Sequence, residues 1–441
     1  MVFSFKKHPF VWTLLVGFVL FYVIKNAQGR FTMNDILVDY TAAQHLLHGQ
    51  PIYNHAFGLT SGFYKYSPFM LFLLIPLAVL PFFWAKTLYF CITAGLIIYV
   101  TIFLERLLTE IFFQHKPVGC QRLLFLSTLV VAVNYERELG LGNHNVLILT
   151  VLLLSLNFIL KQQEVCAGIL IGLVLLMKPY FLVLVPLFVL RRKLKTLASV
   201  MGCILFGLAF PAIAFGWGKN IELHAAWLKI MFAHNAEVNL LAQHADVNFT
   251  RNSLAAWLYR AGLKYLYPDV GAFYALAVIL AVACLVFVFV LWNYAKERRC
   301  GTKHQQITLA AKDFSFEYLL LIAMIPNLFV TDSEHFLWSL PIIMFIWAYL
   351  LYEHRRRDAL FGWSILIFVL YGGDWYELWG RKLSQWIETA GLLGLGNILM
   401  LFTAVYIFRK SCRVHAQARR EEEVERGNSE HKKENCGCGI L

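Results

Sequence analysis

Apolar residues run along this chain in long blocks with short polar breaks between them. The blocks cover 9–25, 67–83, 85–105, 122–135, 144–160, 165–190, 197–217, 270–294, 315–331, 335–352, 358–373 and 391–408. A helix needs about 20 apolar residues to cross a bilayer. Most blocks therefore predict spanning helices, and the shorter ones predict tilted, broken or half-spanning ones. The expected fold is an all-α polytopic membrane bundle. Block 165–190 is too long for one simple crossing and is interrupted by Met177-Lys178-Pro179-Tyr180. Proline removes a backbone donor and disfavours helix at the residue before it. Two short helices that dip in and return, with Lys178 at the break, are expected there.

Two stretches break the pattern. Residues 31–68 carry Asp35, Asp39, His45, His48, His55, a Gly-Gln-Pro break and the run Lys65-Tyr66-Ser67-Pro68. Acids beside apolar helix ends are costly unless they have a task or a partner. Residues 218–269 are amphipathic and rich in His and Asn, which predicts helix lying on a membrane surface.

Composition agrees with a membrane chain: 59% of the 441 residues are hydrophobic, 15% are charged, and mean hydropathy is +0.61. Soluble domains carry about 25% charged residues. The net charge of +12 would suggest nucleic acid in a soluble protein. Here its clusters, Arg191–Lys195, Lys296–Arg299, Arg355–Arg357 and the tail from Arg409, mark loops on the cytoplasmic side. No nucleic-acid partner is expected. Residues 1–410 form one expected transmembrane domain with outer loops at 28–66, 218–269 and 374–390, and 411–441 form a charged, disordered cytoplasmic tail. The N-terminal apolar run reads as a signal anchor with its start inside. Four apolar blocks lie between the outer loop 31–68 and the inner Lys161–Glu164, where an odd number of crossings is required. Either 67–83 or 122–135 is therefore expected to be re-entrant or to half-span.

Several residues are candidates for chemistry. Asp35 and Asp39 are four apart and share a face on a helix. A positioned, partly desolvated carboxylate can take the proton of an attacking hydroxyl. Lys65 with Tyr66, Lys178 and Arg137 are isolated cations at segment ends or breaks, the kind of donor that a departing phosphate needs. The bland alternative for each is an interfacial residue reaching for water, or, for Arg137, pairing with its neighbours Glu136 and Glu138. His335, after Thr331-Asp332-Ser333-Glu334, could move a proton or bind phosphate; a histidine at a helix start is more often structural. There is no Walker loop, dinucleotide fingerprint, HExxH or paired CxxC. Nothing in the sequence calls for a cofactor, and no metal ligands are singled out, although a divalent metal remains compatible with it.

These segments together resemble a known pattern. Asp35-Ile-Leu-Val38-Asp39-Tyr40-Thr-Ala42-Ala43, then Leu46-Leu47-His48-Gly49-Gln50-Pro51-Ile52-Tyr53, then Phe63-Tyr64-Lys65-Tyr66-Ser67-Pro68-Phe69 resemble the signature of glycosyltransferase family 87. Its members are integral-membrane GT-C enzymes, similar to polyprenol-phosphate-mannose-dependent mannosyltransferases. Gly142-Asn143-His144-Asn145 resembles the family's G-Q-x-N-x-L, and Gly168–Pro179 its G-L-x-x-x-x-K-x-x-P segment. Asn252-Ser253-Leu254 resembles N-Q-S, and Glu334-His335 a histidine-bearing helix start. The resemblance runs from about residue 9 to 352. Asp39 departs from the usual Tyr, Asn143 from the usual Gln, and one His stands where two often occur.

The resemblance implies a GT-C bundle whose first outer loop holds the catalytic acid. It implies a hexosyltransferase, with mannose favoured, that takes sugar from a polyprenyl-phosphate donor. The acceptor would be a lipid-linked or glycan hydroxyl on the outer, periplasmic face of the plasma (inner) membrane, and the anomeric configuration would invert. Asp35 would be the base, His335 a second catalytic group, and Lys178, Lys65, Tyr66 and Arg137 the donor-phosphate contacts. Asp39, Asn143, Asn145 and Asn252 would contact acceptor or sugar. Membrane lipid is the remaining partner. The rival readings are a lipid or polysaccharide transporter, an O-antigen-ligase-like transferase, and a scaffold with decayed chemistry.

Overall fold

The computed structural model describes residues 9–59, 62–113, 116–241, 252, 303–328, 332–354 and 357–411. It is built of helices. The one extended pairing among the described residues joins Ala56 and Phe63 within the first long loop. Helices α1 (Pro9–Ala27), α2 (Asn34–Leu47), α3 (Pro68–Ala78) and α4 (Phe82–Phe112) open the chain. Next come α5 (Gln121–Val130), α6 (Ala132–Leu141), α7 (Asn145–Leu160) and α8 (Glu164–Met177). A 3-10 turn at Pro179–Leu184 leads into α9 (Val185–Leu190), α10 (Leu194–Ala209) and α11 (Pro211–Leu241). After residues outside the described set, α12 (Lys303–Leu328), a 3-10 helix at Ser333–Ser339 and α13 (Leu340–Tyr349) follow. The last three are α14 (Ala359–Gly372), α15 (Tyr376–Ala390) and α16 (Leu392–Ser411).

Four helical stretches, Pro9–Ala27, Phe82–Phe112, Ser333–His354 and Leu392–Ser411, are long and apolar enough to cross a membrane, and two bent pairs raise the number to six among the described residues. This is a multi-pass membrane protein. The outward face of α1 is mostly apolar, with Val16, Val19, Leu20 and Val23 exposed and the exposed Thr13 hydroxyl donating to the Pro9 carbonyl of the same helix, as a lipid-facing helix requires.

The block boundaries differ from the sequence expectation at turn residues. Block 67–83 is not one helix. α3 ends at Ala78 after 11 residues, and Pro81 precedes the 31-residue α4. Block 122–135 splits at Val131, leaving a 10-residue α5. Both segments suspected of half-spanning are thus far short of a full crossing. The expected break at Lys178 is present: its backbone is extended (φ −132, ψ 98) between α8 and the 3-10 turn. Residues 218–241 continue α11, which is kinked at Gly216 (φ 75, ψ 163). The block 270–294, the tail from 412 and the rest of 242–269 except Asn252 lie outside the described residues.

Two packing arrangements position the site. α8 lies against α10 through small residues: a Cβ at Gly168 would stand 2.4 Å from the Thr196 carbonyl oxygen, and one at Gly172 2.6 Å from the Cys203 Cβ. Such close approach lets membrane helices pack by contact alone. The loop after α2 is pinned as tightly. Tyr53 donates to the Tyr66 carbonyl at 2.8 Å, Tyr64 to the Ser67 carbonyl at 2.9 Å, and Trp227 of α11 to the Lys65 carbonyl at 3.0 Å. Val38, Ala42, Leu46, Ile52, Tyr53 and Tyr64 form a second apolar core beneath this loop.

Candidate active site

α2 carries Asp35 in its first turn, where a carboxylate favours the helix dipole. The bend between α6 and α7 lies against it. Gly142 ends α6 in the left-handed region (φ 72), a conformation that glycine adopts freely. A Cβ there would stand 3.0 Å from both Ile36 Cγ2 and Met33 Cε, so the same residue allows the bend to touch α2. The chain turns by 115° between α6 and α7.

Three consecutive residues of this bend each hold a different group. Asn143 Nδ2 donates to Asp35 Oδ2 at 2.9 Å. His144 Nε2 lies 2.6 Å from Asp39 Oδ2. Asn145 Oδ1 accepts from Lys178 Nζ at 2.8 Å. All three are buried, as are Asp39 and Lys178. Buried polar groups persist only when they are hydrogen-bonded, and these are.

The histidine is fixed from behind. The Tyr89 hydroxyl gives its one proton to the Asn143 carbonyl at 2.8 Å, so His144 Nδ1, 2.5 Å away, donates to the Tyr89 oxygen. Nε2 faces the Asp39 carboxylate. The Tyr66 ring sits over His144 with centroids 5.5 Å apart, and burial raises its phenol well above the usual value.

Asp35 is pushed up to about 6, first by burial and then by the negative charges of Asp39 and Asp332; His144 and Lys178 pull the other way. A carboxyl near that value is a carboxylate at neutral pH and still a usable proton acceptor.

Lys178 is the centre of the second cluster. Its ammonium donates to His335 Nε2 at 2.7 Å and lies 5.2 Å from the Trp338 ring centre. His335 Nδ1 then carries the ring proton and points at the Asp332 carbonyl, 3.3 Å away. Glu138 supports the arrangement from below. It accepts from Asn145 Nδ2 at 3.1 Å and from the Val146 amide at 2.8 Å. A lysine buried in this way needs such partners.

The remaining candidates are placed around this centre. The Lys65 side chain is exposed, and its charge acts on Asp332, which burial pushes up and Lys65, Lys178 and Arg137 push down. Arg137 does not pair with its neighbours. It binds Asp374 at 2.9 Å, Glu388 at 3.2 Å and the Ser333 hydroxyl, while Glu136 pairs with Lys25 at 2.8 Å. Asn252 accepts from the Gly394 amide at 3.2 Å. Arg137 and Asn252 line a cavity of about 140 Å³ beside Asp332 and Glu334. The bend therefore gathers Asp35, Asp39, Asn143, Asn145, Tyr66, Lys178 and His335, and Arg137 and Asn252 belong to the adjoining cavity. Sequence reasoning passed over His144, Glu138 and Tyr89. The uninterrupted polar run Asn143-His144-Asn145 before an apolar helix was the available signal.

A search of curated proteins finds no match to this chain. A family model does match, over residues 63–307, which is more than half of the chain. The match covers Tyr66, Arg137, Asn143, Asn145, Lys178 and Asn252; Asp35, Asp39 and His335 lie outside it. The helical multi-pass architecture agrees with the GT-C class expected of that family. A membrane bundle with this motif order, matched over most of its length, belongs to glycosyltransferase family 87.

Proposed function

We propose that this enzyme transfers a hexose, with mannose favoured, from a polyprenyl-phosphate donor to a lipid-linked or glycan hydroxyl. The reaction takes place at the outer face of the plasma (inner) membrane. The observation that carries the proposal is the juxtaposition made by one bend: Asn143 holds a carboxylate, and two residues on Asn145 holds an ammonium. A transfer from a sugar phosphate needs both, a base for the incoming hydroxyl and a cation for the outgoing phosphate.

In this mechanism Asp35 takes the proton of the acceptor hydroxyl as its oxygen attacks the anomeric carbon. A new C1–O bond forms on one face as the C1–O bond to phosphate breaks on the other, so the configuration inverts. The electron pair leaves with the phosphate oxygen, and Lys178 neutralises it. His335 holds the ammonium in the resting site and gives it up to the phosphate. Lys65 stands at the exposed edge as a further phosphate contact. Asp39 and His144 keep the acid face of α2 in place beneath the sugar. The donor's own phosphate makes a nucleotide-binding fold unnecessary. The outer-face placement is supported by the basic clusters, which the positive-inside rule assigns to the cytoplasmic side.

Purified protein in proteoliposomes tests the proposal with polyprenyl-phosphate-mannose. Release of polyprenyl phosphate coupled to glycosylated acceptor is expected. Movement of the lipid without cleavage would support a transporter, and use of only a lipid-diphosphate donor would support a ligase-like transferase.

A further inference from the structure

Beside Asp332 and Glu334, the protein has a cavity whose charge the transfer reaction does not use. Four carboxylates line it, those of Asp332, Glu334, Asp374 and Glu388, with Arg137 as the one basic side chain among the lining residues. Arg137 is committed to Asp374 and Glu388. That leaves Asp332 and Glu334 without a basic side chain hydrogen-bonded to them among the described residues. Glu334 is only 7% exposed, and its Oε2 is buried with no hydrogen-bond partner. An unsatisfied carboxylate oxygen at that depth is costly and calls for a ligand. Asp332, Glu334 and His335 can each turn a ligand atom toward the others, all within 4.8 Å of one another.

We propose that Asp332, Glu334 and His335 bind one divalent cation, Mn²⁺ or Mg²⁺, at the wall of this cavity. Two carboxylates and an imidazole suit a hard or borderline ion that keeps some of its waters. An octahedral ion with ligands at about 2.1 Å sets neighbouring ligands about 3 Å apart, so the side chains close in by up to roughly 2 Å to hold it. The opposing charges are Lys178, Arg137 and Lys65. Lys178 is the direct competitor, because its ammonium occupies the His335 Nε2 lone pair at 2.7 Å. His335 joins the ion by giving up that contact. The cation would bring positive charge next to Lys178, and the site stands whatever sugar or donor the enzyme uses.

Mn²⁺ titration of the purified full-length protein, followed by the loss of the free-ion electron paramagnetic resonance signal, tests this. One saturable site per chain is expected. Glu334→Gln and Asp332→Asn should each weaken it at least tenfold, and Lys178→Met should tighten it severalfold by removing the competitor. Electron spin-echo modulation from an imidazole nitrogen should appear in the wild-type complex, a reading that needs no variant. Absence of a stoichiometric site, binding unchanged in both carboxamide variants, or absence of imidazole modulation would overturn the proposal.

Discussion

Asn143 and Asn145, two residues apart, present opposite ends of the same amide group to opposite charges. Asn143 donates through Nδ2 to Asp35 at 2.9 Å, and Asn145 accepts through Oδ1 from Lys178 at 2.8 Å. One backbone bend thus sets the spacing between a proton acceptor and a phosphate-binding cation. Glu138 and the Tyr89 hydroxyl brace that bend from behind.

Gly142 is the hinge of this arrangement, and its replacement is expected to be damaging. Gly142→Ala places a side chain at φ 72 and 3.0 Å from Ile36 and Met33. The left-handed conformation alone costs about 1–2 kcal/mol for a residue with a Cβ. A lower midpoint of thermal unfolding in detergent and reduced transfer are expected together. Wild-type stability with full activity would show that α2 does not depend on this contact.

The pH profile should report Asp35. A base acts as its carboxylate, so kcat/KM should fall tenfold per unit below an apparent pKa of about 6. Asp39 raises this value and His144 lowers it. Asp39→Asn should therefore move the acid limb to lower pH, and His144→Gln should move it to higher pH. Shifts of the same sign in both variants would contradict the charge arrangement.

Lys178→Ala should lose on the order of 10²-fold or more in kcat, since a charge on a leaving group counts most in the transition state. Lys178→Arg should recover little, because a planar fork does not replace a compact ammonium packed against Asn145, His335 and Trp338. Single-turnover assays with the lipid donor measure both. Unchanged kinetics in the alanine variant would reduce Lys178 to a structural partner of His335.

Topology is open to direct measurement. Gln50 is exposed in the loop after α2. Gln50→Cys should react with an impermeant maleimide in intact spheroplasts, above the level of the parent protein. Reaction only after lysis would place the loop inside.

The legible and illegible parts of this protein differ in range. The break at Lys178 could be read because Pro179 acts on its immediate neighbour. The shared face of Asp35 and Asp39 could be read because it needs only helical spacing. Arg137 was opaque for the opposite reason. Its partners Asp374 and Glu388 lie more than 200 residues away, while two glutamates flank it in the chain. His144 occupies an unmarked position between two marked ones, and its partners Asp39 and Tyr89 lie on two other helices. Helix ends such as Ala78 and Val131 fall inside apolar runs, where hydropathy carries no boundary signal.

The most direct test of the account is transfer by Asp35→Asn beside Asp39→Asn, with polyprenyl-phosphate-mannose in proteoliposomes. The amide keeps the size of Asp35 but cannot take the acceptor's proton. A loss of about 10²–10⁴-fold in kcat is expected, with donor binding intact and a much smaller loss in Asp39→Asn. Normal turnover by Asp35→Asn, with or without loss in the Asp39 variant, would contradict the assignment of Asp35 as the base.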